Sequence, residues 1–309
     1  GGVVGRAYLV GTLAGLADGL GWDARDADLI VGTSAGSGTG ATLRAGLSPA
    51  DFLARLTAGE LSAEGRELLG QLPPAPDLPL RPPVSNRWWR PQAPQLLVRA
   101  FTPPWQPRLG LAFAGLLPRG AIPTDELGER IAMLHDRPWP DDPLWICAVR
   151  LRDGRRTVFG RDEPTADLDL AIAVQASSAI PGYFTPVRVH GEDHVDGGAH
   201  SPTNADLVAG LGYDVVVAVS PMSAERSALR PDPGSVPRAF CHWYLDRELD
   251  AVRRTGSTTV AFEPTAADLR HMRGSALSYE HESDIVFQAR QSVLRRIERS
   301  GARSLTELA

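Results

Sequence analysis

Apolar positions recur at helical spacing over residues 7–18, and the run ends at Gly19 and Gly21, which predicts a helix stopped by glycine. Leu29, Ile30 and Val31 form a short apolar run between Asp28 and Gly32 and predict a buried strand. Residues 35–45 are rich in small side chains, so a helix there needs close packing to offset its glycines. Ser48, Pro49 and Asp51 stand in the order of a helix N-cap, a first-turn proline and an acidic third residue. Thr124 opens a helix to about His135. Residues 144–151 predict a strand, Asp153 and Gly154 a hairpin turn, and residues 157–159 the returning strand. Residues 167–179 predict a helix stopped by Pro181. Residues 187–190 and 194–196 predict a second hairpin. The continuous apolar run 214–220 has the pattern of a strand buried in a parallel sheet. Residues 283–299 predict an amphipathic, arginine-rich helix, and the part from about 223 onward reads as helical. Strands alternate with helices, which predicts an α/β sandwich with a mostly parallel central sheet, built as a single domain over residues 1–309.

One stretch breaks the pattern. Residues 73–107 hold eleven prolines and the tryptophans Trp88, Trp89 and Trp105, a composition that excludes regular helix and central strand. Apolar character resumes at residues 109–117. The whole excursion, about 73–117, combines these tryptophans and Phe101 with Arg81, Arg87, Arg90 and Arg99. Tryptophan suits a surface apolar on one side and wet on the other, and arginine suits phosphate, so a role at a lipid interface stands beside the plainer one of completing the core.

Composition narrows the functional classes. Of 309 residues, 43% are hydrophobic and 22% charged, as in an ordinary globular protein. The net charge of −5 argues against nucleic acid as a partner. All 32 basic residues are arginine. Cys147 and Cys241 are too few for a disulfide framework and lack metal-ligand spacing, which fits a cytoplasmic location or simple core positions. No run of 18 or more apolar residues occurs. Gly1 and Gly2 look like a turn that normally follows a strand. This points to missing upstream residues and leaves a removed secretory leader open.

Three constellations carry chemistry. Gly32-Thr33-Ser34-Ala35-Gly36 is a G-x-S-x-G motif between a predicted strand and a predicted helix, the context of a nucleophile elbow. The plainer alternative is a glycine-rich turn whose serine caps the helix. Asp196-Gly197-Gly198 ends a predicted strand, where a partly buried carboxylate can act as a base; the plainer alternative is an Asp-Gly turn. His190, Asp193, His194, Asp196 and His200 also have metal-binding side chains, but a hairpin does not gather all five, and neither metal nor cofactor is expected. Gly1-Gly2-Val3-Val4-Gly5 could direct backbone N–H groups at an oxyanion, with the Ala35 N–H as a further donor.

A glycine-rich turn opening the first helix, G-T-S-A-G one strand later and D-G-G far downstream resemble the patatin-like phospholipase family. Residues 176–181 (ASSAIP) and Ser201-Pro202-Thr203-Asn204 add to the likeness, which covers about residues 1–222. The resemblance implies a three-layer α/β/α sandwich and a Ser–Asp dyad hydrolysing acyl esters of lipids, phospholipase A-, lysophospholipase- or lipase-like. It makes Ser34 the nucleophile, Asp196 the base and Gly1, Gly2 and Val3 the oxyanion turn, with peripheral contact to a membrane or micelle. Val4 stands where the family has a basic residue. The alternatives are a Ser–His–Asp α/β-hydrolase using His194 or His200, and a non-catalytic lipid-binding protein that keeps the fold.

Overall fold

The computed structural model describes residues 2–70, 72, 79, 90–101, 108–162 and 167–300. In chain order its elements are α1 (Gly2–Leu20), β1 (Ile30–Thr33), α2 (Ala35–Arg44), α3 (Pro49–Thr57), α4 (Ala63–Gly70), α5 (Gln95–Ala100), α6 (Leu109–Leu116), α7 (Asp125–Ala132), β2 (Leu144–Arg150), β3 (Arg156–Phe159), α8 (Leu170–Ser178), β4 (Val187–Val189), β5 (Glu192–Asp196), β6 (Val215–Val219), α9 (Val236–Arg253), β7 (Thr258–Phe262), α10 (Ala266–His271) and α11 (Glu282–Ser300). The class is α/β. The chain divides into two compact units, one of residues 28–45 and 68–201, the other of residues 1–27, 46–67 and 202–309.

The first of these units is built on β2. Parallel β1 and antiparallel β3 and β5 pair with it, and β4 extends β5. Alternate residues of β2 point to opposite faces. Ile146 and Ala148 join Ala41 of α2, Ile131 of α7 and the apolar side of α8 in one core. Val149 joins Leu96 and Ala100 of α5, Leu111 and Ala114 of α6 and Val195 of β5 in the other. Helices thus cover both faces in three layers. Fully buried side chains such as Phe159, Ile146 and Leu170 each contribute about 1.5–3 kcal/mol relative to exposure.

The other unit repeats the layering around the parallel pair β6–β7. Val260 and Phe262 pack with Leu16 of α1 and Val293 of α11, while Ala218 packs with Leu245 and Leu249 of α9. Helix α1 is long and apolar enough to cross a membrane by length and composition alone, yet 72% of its 18-residue apolar window is buried within the protein. Its glycines explain how. A Cβ at Gly11 would lie 2.2 Å from the Val286 carbonyl oxygen, and one at Gly15 would lie 2.9 Å from Val293 Cβ, so α11 lies directly against it.

Three expectations need correction. The stretch beyond residue 223 is not helical throughout, because β7 lies in it and pairs with β6. The proline-rich excursion contains a regular helix, α5; Pro94 sits at its N-cap, where a missing N–H costs nothing. Thr124 occupies the N-cap of α7, its carbonyl accepting the Gly128 N–H at 3.1 Å, but its side chain makes no cap hydrogen bond and its hydroxyl turns toward Gln175.

Candidate active site

Strand β1 delivers Ser34 to a sharp turn into α2. Ser34 has φ 54° and ψ −123°, a conformation that costs an L-residue about 1–3 kcal/mol. Hydrogen bonds on both sides hold it there. Its N–H donates to Ser177 Oγ at 3.0 Å, and its carbonyl accepts from the Ser37 N–H at 2.8 Å and the Ser37 hydroxyl at 2.6 Å. Ser177 Oγ in turn donates to the Cys147 carbonyl at 2.7 Å, tying the elbow to β2. The turn also requires Gly32, since a Cβ there would stand 2.6 Å from Ser37 Cα and 2.8 Å from the Gly36 carbonyl oxygen. Gly36 is different. A Cβ there meets nothing within 4 Å, so of the two motif glycines only Gly32 is sterically required.

The Ser34 side chain does not cap α2, which removes the plainer alternative for this serine. The side chain interacts with the carboxylate of Asp196 and favours its ionised form. Asp196 ends β5 opposite Ala148, and its N–H donates to the Ala179 carbonyl at 3.0 Å. The carboxylate also accepts the Gly198 N–H at 2.7 Å. Gly197 is needed because a Cβ there would be 2.3 Å from the Cys147 carbonyl oxygen. Asp196 is therefore no hairpin turn residue: it leads from a strand into the 3-10 turn Gly197–Ala199, and Gly191 turns the hairpin instead. Burial holds the Asp196 carboxyl above the usual carboxylate range, opposed by the neighbouring Ser34 side chain and the hydrogen bond from Gly198.

The remaining expected residues fall as follows. Ala35 is the first residue of α2. Gly2 and Val3 lie in the first turn of α1, and Gly1 lies outside the described residues. Gly2 has φ +59°, and a Cβ there would meet the Ala276 carbonyl oxygen at 2.5 Å; the Val4 N–H is taken by that same carbonyl at 3.1 Å. His194 is buried beside Asp196 in sequence, but its ring nitrogens face the Thr157 hydroxyl at 3.2 Å and the Glu192 carbonyl at 3.0 Å. His190 sits at the far end of the β4–β5 hairpin with φ +46°. Among the described residues no group of three or more His, Cys, Asp or Glu could hold a metal ion. Trp88, Trp89 and Trp105, with Arg81 and Arg87, lie outside the described residues.

Two site residues had no individual role in the sequence reading. Ser177 appears there only within the ASSAIP segment. Its signal is a serine on the apolar side of a short helix, where a hydroxyl must find buried partners. Ser37 signals itself only as the third residue after Ser34.

A family model described as patatin-like phospholipase matches residues 1–209, a span that includes both Ser34 and Asp196.

Proposed function

Given that the chain belongs to the patatin-like phospholipase family, which implies hydrolase activity on lipid esters, we propose that it cleaves carboxylic esters of lipids with Ser34 as nucleophile and Asp196 as general base. The observation that carries this reading is a strained elbow serine at the end of β1 brought to a buried carboxylate at the end of β5 along the same strand, β2. Asp196 takes the Ser34 proton as Oγ bonds to the acyl carbon. The carbonyl oxygen becomes an oxyanion, and its collapse expels the alcohol, which leaves with the proton held by Asp196. Water then repeats the sequence on the acyl-enzyme and restores Ser34. A carboxyl held above its usual range is a better proton acceptor than an ordinary aspartate.

The Ala35 N–H, at the positive end of α2, is the oxyanion donor supplied next to the nucleophile. Gly1, Gly2 and Val3 enter this reading as further donors on the strength of the sequence resemblance. The substrates are phospholipids, lysophospholipids or acylglycerols presented at a lipid–water interface, met from the cytoplasm by peripheral contact. A fluorophosphonate probe tests the assignment: the native protein is labelled at Ser34 and Ser34→Ala is not. An unlabelled native protein would overturn the hydrolase reading in favour of a lipid-binding one.

A further inference from the structure

Helix α6 has the sequence LGLAFAGL, without a single polar side chain. One side of it is core, through Leu111 and Ala114. The opposite side should be polar if it met only water. Instead Leu109, Phe113 and Leu116, spaced i, i+4 and i+7, form an exposed stripe, with Phe113 63% exposed. Helix α5 behaves alike: Leu96 and Ala100 are buried while Val98, 67% exposed, and the adjoining Phe101 point outward. The two helices pack against each other and bury their inner sides in one cluster.

The charge of this segment is as one-sided as its apolarity. In a chain of net charge −5, residues 78–124 contain six arginines and no acidic residue. Arg90 and Arg99 are exposed, and Arg108 directly precedes α6. Of the six arginines Arg119 is ion-paired, with Asp193 at 2.8 Å, and Asp153 is paired with Arg150 at 2.6 Å. The surface also adjoins the chemistry. A Cβ on Gly110 would lie 2.7 Å from the Ala199 carbonyl oxygen, so the start of α6 rests on the turn that follows Asp196.

We propose that the outer face of α5 and α6 is a docking surface for membranes rich in anionic phospholipid: Val98, Phe101, Leu109, Phe113 and Leu116 enter the acyl boundary, and Arg90, Arg99 and Arg108 meet lipid phosphate. This rests on the reading of the protein as a lipid-ester hydrolase. An apolar stripe alone would fit any greasy partner; the absence of acidic residues selects an anionic lipid surface, against which an acidic protein would otherwise be repelled.

The test is co-sedimentation of the full chain, carrying Ser34→Ala so that vesicles stay intact, with phosphatidylcholine vesicles with and without phosphatidylglycerol. Binding is expected to the phosphatidylglycerol vesicles and to fall as salt rises. Phe113→Ser should weaken it at least about tenfold, the value of one aromatic ring buried in lipid. Arg99→Glu with Arg108→Glu should remove the preference for anionic vesicles. In the catalytically intact chain, Val98→Ser with Phe113→Ser should leave turnover of a soluble short-chain ester unchanged. Equal binding by the parent and the Phe113→Ser chain, or no preference for anionic lipid, overturns the proposal. So does a loss of dimer on Phe113→Ser without vesicles, which would assign the face to a second copy. Soluble-ester turnover separates the two readings, since its absence overturns the hydrolase while vesicle binding reports on the surface alone.

Discussion

Thr33 and Asp196 meet end to end along β2, Thr33 pairing with Cys147 and Asp196 with Ala148. Strand β3 pairs with Cys147 and Ala148 as well, so it occupies the other edge of β2, and β1 and β5 share one edge. They run toward each other, β1 parallel to β2 and β5 antiparallel. The residue after Thr33 is Ser34. One strand therefore aligns Ser34 and Asp196, and the adjacent Cys147 carbonyl accepts from Ser177 and is closely approached by Gly197.

Asp196→Asn keeps the volume of the side chain and removes the base. Ester turnover should fall by several orders of magnitude, about as far as in Ser34→Ala, and the double variant should be no slower, because the two groups act as a unit. His194→Ala and His200→Ala should each retain kcat to within about 100-fold, below the range of a lost general base. A collapse of kcat in either histidine variant, with native circular dichroism, would replace the dyad by a triad.

The raised Asp196 carboxyl sets the acid side of the pH profile. The base must be ionised, so kcat/KM should rise with pH through a midpoint above the usual aspartate range. The sign for stability is opposite. A carboxyl whose folded value is raised contributes stability that is complete below its unfolded value and lost as pH rises through the folded one. Asp196→Asn should therefore melt higher than the parent at pH 7, and this gain should vanish in acid. A variant that melts lower at pH 7 contradicts the burial account.

Strands β1 and β2 are legible in the sequence as compact apolar runs at residues 29–31 and 144–151, whereas β5, with the sequence EDHVD, is legible only through its hairpin with residues 187–190. Asp153 and Gly154 also mark their turn plainly; Gly154 takes φ +68°. Less legible is whatever depends on a partner remote in sequence. Gly11 and Gly15 read as weak helix positions until α11 is seen to need their space. Strand β7 is five residues long in an arginine-rich surrounding and exists through its pairing with β6. Helix α5 is hidden by the prolines around it, though none lies inside it. Ser177 carries no mark of function except its burial, 143 residues from the serine it holds.

Ser177→Ala should act on the elbow at a distance. It leaves the Ser34 N–H and the Cys147 carbonyl without their bridging hydroxyl inside the protein, at a cost of about 1–3 kcal/mol in chemical unfolding. The strained φ of Ser34 is then held on one side only, by Ser37. Turnover should fall by roughly 10- to 100-fold with KM nearly unchanged, because the nucleophile is misplaced while the binding surface is intact. Loss of stability with unaltered kcat would reduce Ser177 to a structural role.

The two glycines that flank the nucleophile in sequence should separate under the same substitution. In Gly32→Ala the new methyl group lies 2.6 Å from Ser37 Cα and 2.9 Å from Ser37 N, backbone atoms of the helix start that also hold the Ser34 carbonyl. Relief requires moving α2, which packs closely on β2 through Gly40, where a Cβ would meet Leu144 Cδ1 at 3.1 Å. Gly32→Ala should therefore destabilise by about 1–3 kcal/mol and abolish turnover even where the protein stays folded. In Gly36→Ala the methyl group enters open space at a helical position, so stability should hold or rise by up to roughly 1 kcal/mol. Melting temperatures and kcat on a soluble ester, measured side by side, check the pair. Equal damage from both substitutions would mean that Gly36 is held by a neighbour the open space around it does not show.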